Sequence, residues 1–543
     1  MVFKVLTLLS LFLVTSGINA EHHHHTIKCG TPDVLEQLRN GVAKKAGRPA
    51  IGTDKGTSVL SSEGHFRVHY DTTGYHTVDM TDKDTNGIPD YIDSTLVYLE
   101  YAWELEVDEL GYGPPLSDNG AGGGDEVDVY IENFNTGGYG VTYPDQVING
   151  TASSHCRIDN DFSESQYAVH GYDALRVTTA HEFFHVIHFS YLYNFNLSWW
   201  MEQSAVWMED RAWDDVNDYL AYLYNYYGGE HNGSEYSNLS KTVPLDENNG
   251  SFKYGAAVWA MFLAQKYGDD QVRIIWETLR DSSYPYIGDF DEALKKGTSD
   301  TVGLPEALAE FAVWNYFIYD KANTTDFFRD GDLYNGDIKS DLFWNFSPAS
   351  DSLDITNLTS RYIELLFVGD WEKNDILSVK VQSQNGGSFK SSVLFYNDPY
   401  DYEIIPVSKK GDNIPLSKKW NKAILITSCT NTNSYTYSFK FEADMTPSVG
   451  IESSPLYAFT LHDSYPNPFN PSTMISFLLP HPEYVSVQVY SASGQKTADI
   501  FNGYLSAGEK RVLWKPSGLA GGLYFVRVST SQESKTMKVM LLK

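Results

Sequence analysis

Thr178-Thr179-Ala180-His181-Glu182-Phe183-Phe184-His185-Val186-Ile187-His188 decides how this chain is read. It contains a His-Glu-x-x-His pattern. On a helix, His181 and His185 stand one turn apart on one face, where two imidazoles can share a metal ion. Glu182 projects beside them, placed to act on a water molecule. Periodicity predicts that helix. From Tyr172 onward Leu175, Phe183, Val186 and Ile187 form an apolar stripe, and neither Pro nor Gly interrupts it until well past Tyr193. His188 shares the face of His181 and His185 and reads as a packed neighbour or an alternative ligand.

A third ligand must come from downstream. Metzincins place a Gly three residues after the second His and another His three residues later. Here those positions are His188 and Tyr191, which excludes that arrangement. Gluzincins take a Glu from a following helix, and Trp199–Asp210 reads as one. Glu202 follows His185 after sixteen intervening residues, enough for a loop to turn the chain back. Glu209, two turns on and nearly on the same face, competes for that role; Glu209 or Asp210 could instead orient a ligand His from outside. Tyr254 opens a further helical run, Tyr254–Leu263, and is the candidate donor to an oxyanion.

The chain has 543 residues, too many for one compact domain. Its 12 Trp, 38 Tyr and 28 Phe can fill large cores, which excludes disorder as the general state. A net charge of −31 excludes nucleic acid and anionic membrane surfaces as partners and fits an extracellular protein that holds cations. Residues 1–20 read as a signal peptide, with Lys4 before the apolar run Val5–Val14 and Ala20 at the cleavage site. That run is too short to span a bilayer, and no other stretch reads as a membrane span. With only Cys29, Cys156 and Cys429, this is no disulfide scaffold.

Residues 21–64 read as a leader or propeptide. It begins with a four-His run, His22–His25, which reads as a solvated tail. Cys29-Gly30-Thr31-Pro32-Asp33-Val34 resembles the cysteine-switch peptide of matrix metalloproteinase propeptides, with Lys28 where that peptide carries an Arg. The resemblance implies a thiolate on the zinc that keeps the enzyme latent. A disulfide to Cys156 and a buried thiol are the alternatives. Further on, Asp82, Asp84, Asn86, Ile88 (through its carbonyl), Asp90 and Asp93 fall at positions one, three, five, seven, nine and twelve of a calcium loop, with Gly87 at six. Asp93 stands where a longer Glu is usual, and the preceding segment reads as a strand. The expectation is a lone calcium loop feeding a helix over about Ser94–Leu110. Gly137–Tyr143 reads as an edge strand with glycine kinks. At such an edge, bordering the cleft, substrate backbone would add as another strand.

From about Leu353 the pattern becomes period two, as in a β-sandwich. Tyr465-Pro466-Asn467-Pro468-Phe469-Asn470-Pro471, the Gly521-Gly522-Leu523-Tyr524 hairpin and the Lys-rich Lys535–Lys543 closely resemble the C-terminal sorting domain of type IX secretion. That resemblance implies export to the surface of a Gram-negative bacterium or beyond it, with the secretion machinery as a partner.

Residues from about His65 to Ile318 resemble a family of secreted bacterial gluzincin-type zinc metalloproteases. The likeness rests on Cys-Gly-Thr-Pro, Asn-Gly-Ile-Pro-Asp-Tyr, His-Glu-Phe-Phe-His and Trp-x-x-Glu. The expected architecture is multidomain. A zincin-like α+β metalloprotease domain over 65–345 leads to a β-sandwich over 346–445. A linker at 446–457 and an immunoglobulin-like β-sandwich sorting domain over 458–543 follow. The expected function is hydrolysis of protein or peptide substrates, with zinc on His181, His185 and Glu202, a bound water in the fourth position and Glu182 as general base. The rival reading is a surface binding or adhesion protein whose zinc site is structural or degenerate, closed by His188 or Cys29. An aminopeptidase, with Glu209 gripping a free amine, is a further enzyme reading.

Overall fold

The computed structural model describes residues 28–40, 57–134, 138–231, 234–236, 239–248, 250–344, 349–366, 372–446, 459–479, 483–505, 508–530 and 533–542. The signal segment, the four-His run, leader residues 41–56 and nearly all of the linker lie outside these.

Five strands make the first sheet: β1 (Thr57–Leu60), β2 (Phe66–Tyr70), β3 (Val127–Glu132), β4 (Gly140–Ile148) and β5 (Thr151–Asp159), in the order β1-β2-β3-β5-β4. β2, β3 and β5 run parallel; β4 is antiparallel to β5 and forms an edge. Val68, Val129, Ile131 and Ile158 are fully buried, as expected for strands beneath helices. Because β1 pairs with β2, the sheet reaches back into the stretch read as leader.

The leader has structure of its own. Thr31–Arg39 is helix α1, with Pro32 in its first turn and Arg39 in its last, where each suits a helix end. Ahead of α1, Lys28–Gly30 lies along β4. The helix after the proposed calcium loop is α2 (Asp90–Trp103), continued by a π-helical turn over Glu104–Glu109. It therefore starts four residues earlier than expected and already contains Asp93.

The decisive stretch is helical. α3 spans Gly171–Tyr191, and every residue from Val177 to Phe189 is buried. A helix buried all round needs neighbours on every side. α3 has β4 and β5, α2, and the next helix, α4 (Ser198–Ala212). Phe183, Phe184, Ile187 and Phe189 are wholly inaccessible. Each contributes about 1.5–3 kcal/mol by burial. The helices α5 (Tyr224–Tyr227), α6 (Phe252–Gly255), α7 (Val258–Tyr267), α8 (Asp270–Asp281), α9 (Phe290–Gly297) and α10 (Leu304–Tyr316) complete this lobe. The run expected as one helix from Tyr254 is divided into α6 and α7.

Two β-rich units follow. The first has a five-stranded and a four-stranded sheet, enclosing Ile363, Val393, Leu425, Phe439 and Phe441. It starts with Asp341–Trp344, slightly earlier than expected. The Tyr362 hydroxyl donates to the Ala312 carbonyl of α10 at 2.8 Å, tying this unit to the helical lobe. The last unit has a three-stranded and a four-stranded sheet around its own core. Val485, Val487 and Val489 point inward at every second residue, as a strand requires. The chain is thus a multidomain α/β protein with sandwich-like sheets in its C-terminal half.

Candidate metal centre

Helices α3 and α4 bring three donors to one point, and the leader adds a fourth. Ligand atoms of Cys29, His181, His185 and Glu202 all lie within 4.8 Å of one another, and all four residues are buried. His185 Nε2 is 3.1 Å from Glu202 Oε1, and His181 Nε2 is 3.5 Å from Oε2. None of these four atoms is aligned for a hydrogen bond. Buried, converging and unsatisfied, they fit a cation.

The outer contacts set the imidazole tautomers. His181 Nδ1 is 2.6 Å from Glu209 Oε1. A carboxylate only accepts, so the proton sits on Nδ1 and Nε2 keeps its lone pair. His185 is fixed through a longer relay. The Ser204 hydroxyl donates to the Trp200 carbonyl at 2.7 Å, so it accepts from His188 Nε2 at 3.2 Å. His188 Nδ1 then accepts from His185 Nδ1 at 3.1 Å. That leaves the His185 Nε2 lone pair facing Glu202. Burial, reinforced by His185, lowers the His188 pKa well below its usual value, which suits a neutral relay. Of the alternatives, Glu202 therefore faces the centre, whereas Glu209 and His188 orient the two histidines and do not join the donor set.

The charges ask for a counter-ion. Burial would lower the His181 pKa, but Glu202 and Glu209 outweigh it and hold it at about 10. Burial likewise opposes ionisation of Glu202, and His185 and His181 overcome it. A proton shared in this cluster stands where a metal would. The Cys29 thiol is pushed well up by burial and by Glu182 and Glu202. A thiolate there requires a cation.

Glu182 is wedged between α3 and β4. Its Oε2 accepts from Thr142 Oγ1 at 2.6 Å, whereas Oε1 is buried without a partner. Burial raises its pKa; His181, His185 and the Thr142 hydrogen bond act against that. A Cβ on Gly140 would lie 2.7 Å from Glu182 Cγ, so the edge strand can come this close only as glycine.

The leader covers the centre, bridged to the start of β4. Gly30 N donates to Gly140 O at 2.9 Å, Tyr139 N donates to Lys28 O at 3.0 Å, and Cys29 bridges Gly140 in parallel. Tyr254 contacts the same peptide: its hydroxyl donates to Cys29 O at 3.2 Å and accepts from Cys29 N at 3.3 Å. Burial, with Glu202 and Cys29, raises the Tyr254 pKa and keeps it a donor. Alongside lies a cavity of about 370 Å³, lined by Pro32, Glu36, Phe195, Ser198, Lys253 and Tyr254 among others. The Cys29–Cys156 disulfide is not formed. Cys156 Sγ instead contacts the Glu182 carbonyl and the Thr142 hydroxyl, both at 3.5 Å.

The loop over 82–93 is only partly assembled for a cation. Asp82 accepts from Asn86 N and Gly87 N, and the Asn86 amide donates to Asp84 and Asp93. Gly87 takes the positive φ of +88° that the sixth position demands. Ile88 N donates to Asn86 Oδ1 at 2.7 Å. Asp90 departs from the expectation: it accepts from Lys83 N at 3.0 Å and pairs with Lys83 Nζ at 3.1 Å. Asp82, Asp84, Asp90 and Asp93 are not among the converging metal-ligand groups of the described residues.

Sequence reasoning missed Asp218, Thr142 and Ser204, which meet the site only through tertiary contacts. Lys28 was noted only as a departure from the switch peptide, and that departure was the available signal.

Residues 463–542 match the Secretion system C-terminal sorting domain family. The chain is therefore cargo of type IX secretion, exported to the cell surface or the extracellular space, and the secretion machinery is a partner. Among the described residues no helix is long and apolar enough to cross a membrane. No curated protein matches the chain. Among solved structures it is similar to a β-1,2-glucanase from Parabacteroides distasonis, at 13% identity and a TM-score of 0.20 over 35% of this chain and 32% of that one. The glycoside hydrolase domain of Endo-D from Streptococcus pneumoniae R6 gives 13% identity and a TM-score of 0.14, over 38% and 34%. The adhesin domain of Epf from Streptococcus pyogenes gives 7% and 0.12, over 36% and 73%. The chain spans about a third of the length of the first two. Likenesses this slight carry no argument about activity.

Proposed function

We propose that this chain is an exported zinc-dependent metallopeptidase with a zincin-like catalytic domain, held latent by its own leader. The observation that carries the reading is the convergence of His181, His185 and Glu202 with Cys29, beside a Glu182 oxygen left without a partner. Two imidazoles, a carboxylate and a thiolate at one buried point suit zinc. When bound, zinc would supply a Lewis acid that polarises a carbonyl and makes water more acidic.

This chain's residues supply the rest. His181 and His185 present lone pairs at Nε2, held by Glu209 and by the His188–Ser204 relay. Glu182, fixed through Oε2, accepts at Oε1 the proton of the water that attacks the peptide carbonyl. It returns that proton to the leaving amine, so one peptide bond and one water become one carboxyl and one amine. Tyr254, relieved of Cys29, donates to the oxygen that gains charge. A substrate backbone would take the place of Lys28–Gly30 along β4.

One observation favours the rival, a structural zinc site in a surface binding protein: with Cys29 the donor set is four and closed. Zinc content and casein cleavage separate the two. The full chain, Cys29→Ala and Cys29→Ala/Glu182→Gln are compared with and without chelator. The proposal expects zinc in all three and chelator-sensitive cleavage in Cys29→Ala alone. A Cys29→Ala chain that keeps zinc and cuts nothing, even with its leader removed, would favour the binding protein. Cleavage undiminished by Glu182→Gln would refute the assigned base.

A further inference from the structure

The residue before Cys29 is as deeply placed as Cys29 itself. The Lys28 ammonium contacts Asp218 and lies 2.8 Å from Glu209 Oε2; the three side chains are 3%, 0% and 3% exposed. Tyr139 and Tyr222 present ring faces to it, with centroids 5.1 and 5.2 Å away. The Tyr139 hydroxyl braces Asp218 at 3.0 Å, and Glu209 is braced by His181. The occupant is peptide added to a sheet edge, with Lys28 O paired to Tyr139 N and Gly30 N to Gly140 O at the start of β4. Successive side chains of an extended peptide point to opposite sides. Cys29 therefore reaches the metal donors while Lys28 enters the acidic pocket.

We infer that this pocket is a side-chain subsite beside the metal centre, and that the peptides taken there carry Lys or Arg next to the bond to be cut. The inference rests on the metallopeptidase reading and gives it a substrate class. Once the leader leaves, the carboxylates of Glu209 and Asp218 face each other across a space shaped for one cation. An apolar side chain of the same length would cover both without pairing either, which buried charges resist. A basic side chain restores the pairing and the two cation–π contacts. Lys28 is then the resident occupant of a site whose proper ligand is a substrate side chain.

The test uses the full chain carrying Lys28→Ala and Cys29→Ala, so that the leader loses both anchors. The zinc-loaded protein is titrated with lysine hydroxamate and with norleucine hydroxamate, which differ only by the ammonium. The expected result is binding of the lysine compound about a hundredfold tighter, with the preference abolished by Asp218→Asn. Asp218 touches none of the metal donors, so that variant spares the centre. A synthetic peptide of residues 26–40 serves as a second probe that needs no pocket variant. It should bind at least about tenfold tighter than its Lys28→Met counterpart. Equal affinities for either pair, or no binding of any probe, overturn the inference. So does a peptide-library digest with no Lys or Arg beside the cut. Lysine-selective binding without cleavage of any peptide would leave the pocket standing and sink the peptidase reading instead.

Discussion

Replacing Lys28 by Met tests how the leader is held. Met keeps most of the stem and loses the ammonium, so Glu209 and Asp218 stay buried without their shared cation. Removing one partner of a buried ion pair costs about 3–5 kcal/mol. Here the lower end applies, because each carboxylate keeps a donor: His181 Nδ1 at 2.6 Å for Glu209, the Tyr139 hydroxyl at 3.0 Å for Asp218. About 3 kcal/mol is then lost from the docked leader alone, since water reaches both carboxylates once the leader lifts. At 1.36 kcal/mol per tenfold change, leader release rises by roughly a hundredfold or somewhat more. Cys29 reports that opening directly, because its thiol is inaccessible while the leader is docked. Native-state labelling with a thiol reagent, followed by peptide mass spectrometry, gives separate rates for Cys29, Cys156 and Cys429. The expected outcome is Cys29 labelling accelerated by about that factor, with the other two unchanged. An unchanged Cys29 rate in a folded Lys28→Met chain would refute the reasoning. Equal acceleration of all three thiols would also refute it, because it would mean general unfolding.

Gly140→Ala should lower peptidase activity of the leader-free enzyme by about a hundredfold through displacement of Glu182. The new Cβ would meet Glu182 Cγ at 2.7 Å and Oε1 at 2.8 Å, so kcat/KM should fall while zinc content stays constant. Glu106 is buried with both carboxyl oxygens lacking a hydrogen-bond partner, and burial raises its pKa well above 4.5. A raised folded pKa gives stability that is full below the unfolded value and is lost as pH rises toward the folded one. Glu106→Gln should therefore raise the Tm at pH 8 more than at pH 5; a pH-independent difference would contradict this. Truncation after Met445 removes a unit with its own core. It should abolish export and leave the thermal transition of the remaining chain within about 2 °C, as followed by secretion assay and calorimetry.

What the sequence made legible was local. The spacing of His181, Glu182 and His185 and the unbroken stripe around them are properties of one helix, and α3 is that helix. Glu202 follows from a second helix a short loop away. The period-two pattern of the C-terminal half and the Tyr-Pro-Asn-Pro-Phe-Asn-Pro run were equally readable, because a strand or a sorting signal carries its pattern within a few residues. The choice between Glu202 and Glu209 depended on how α4 is rotated against α3, which spacing leaves open. Cys29 could be recognised as a possible zinc ligand but not located, since the donors it joins lie more than 150 residues away in sequence. Asp218 gave no local signal, and Lys28 gave only its place before Cys29 in the switch-like peptide. At the proposed calcium loop the spacing of oxygen positions does not reveal that Asp90 pairs with Lys83.

The placement of Lys28–Gly30 along the start of β4 has a consequence for solubility. An open sheet edge offers unpaired N–H and C=O groups to any extended chain, another copy included. At the start of β4 the leader already pairs with the backbone groups of Tyr139 and Gly140. A protein that must cross a periplasm and an outer membrane thus travels with this edge masked at that point. Removal of the leader would uncover the metal donors and the adhesive edge in a single event. The mature chain should therefore self-associate more readily than its precursor, and an extended peptide laid along β4 should restore the precursor's behaviour.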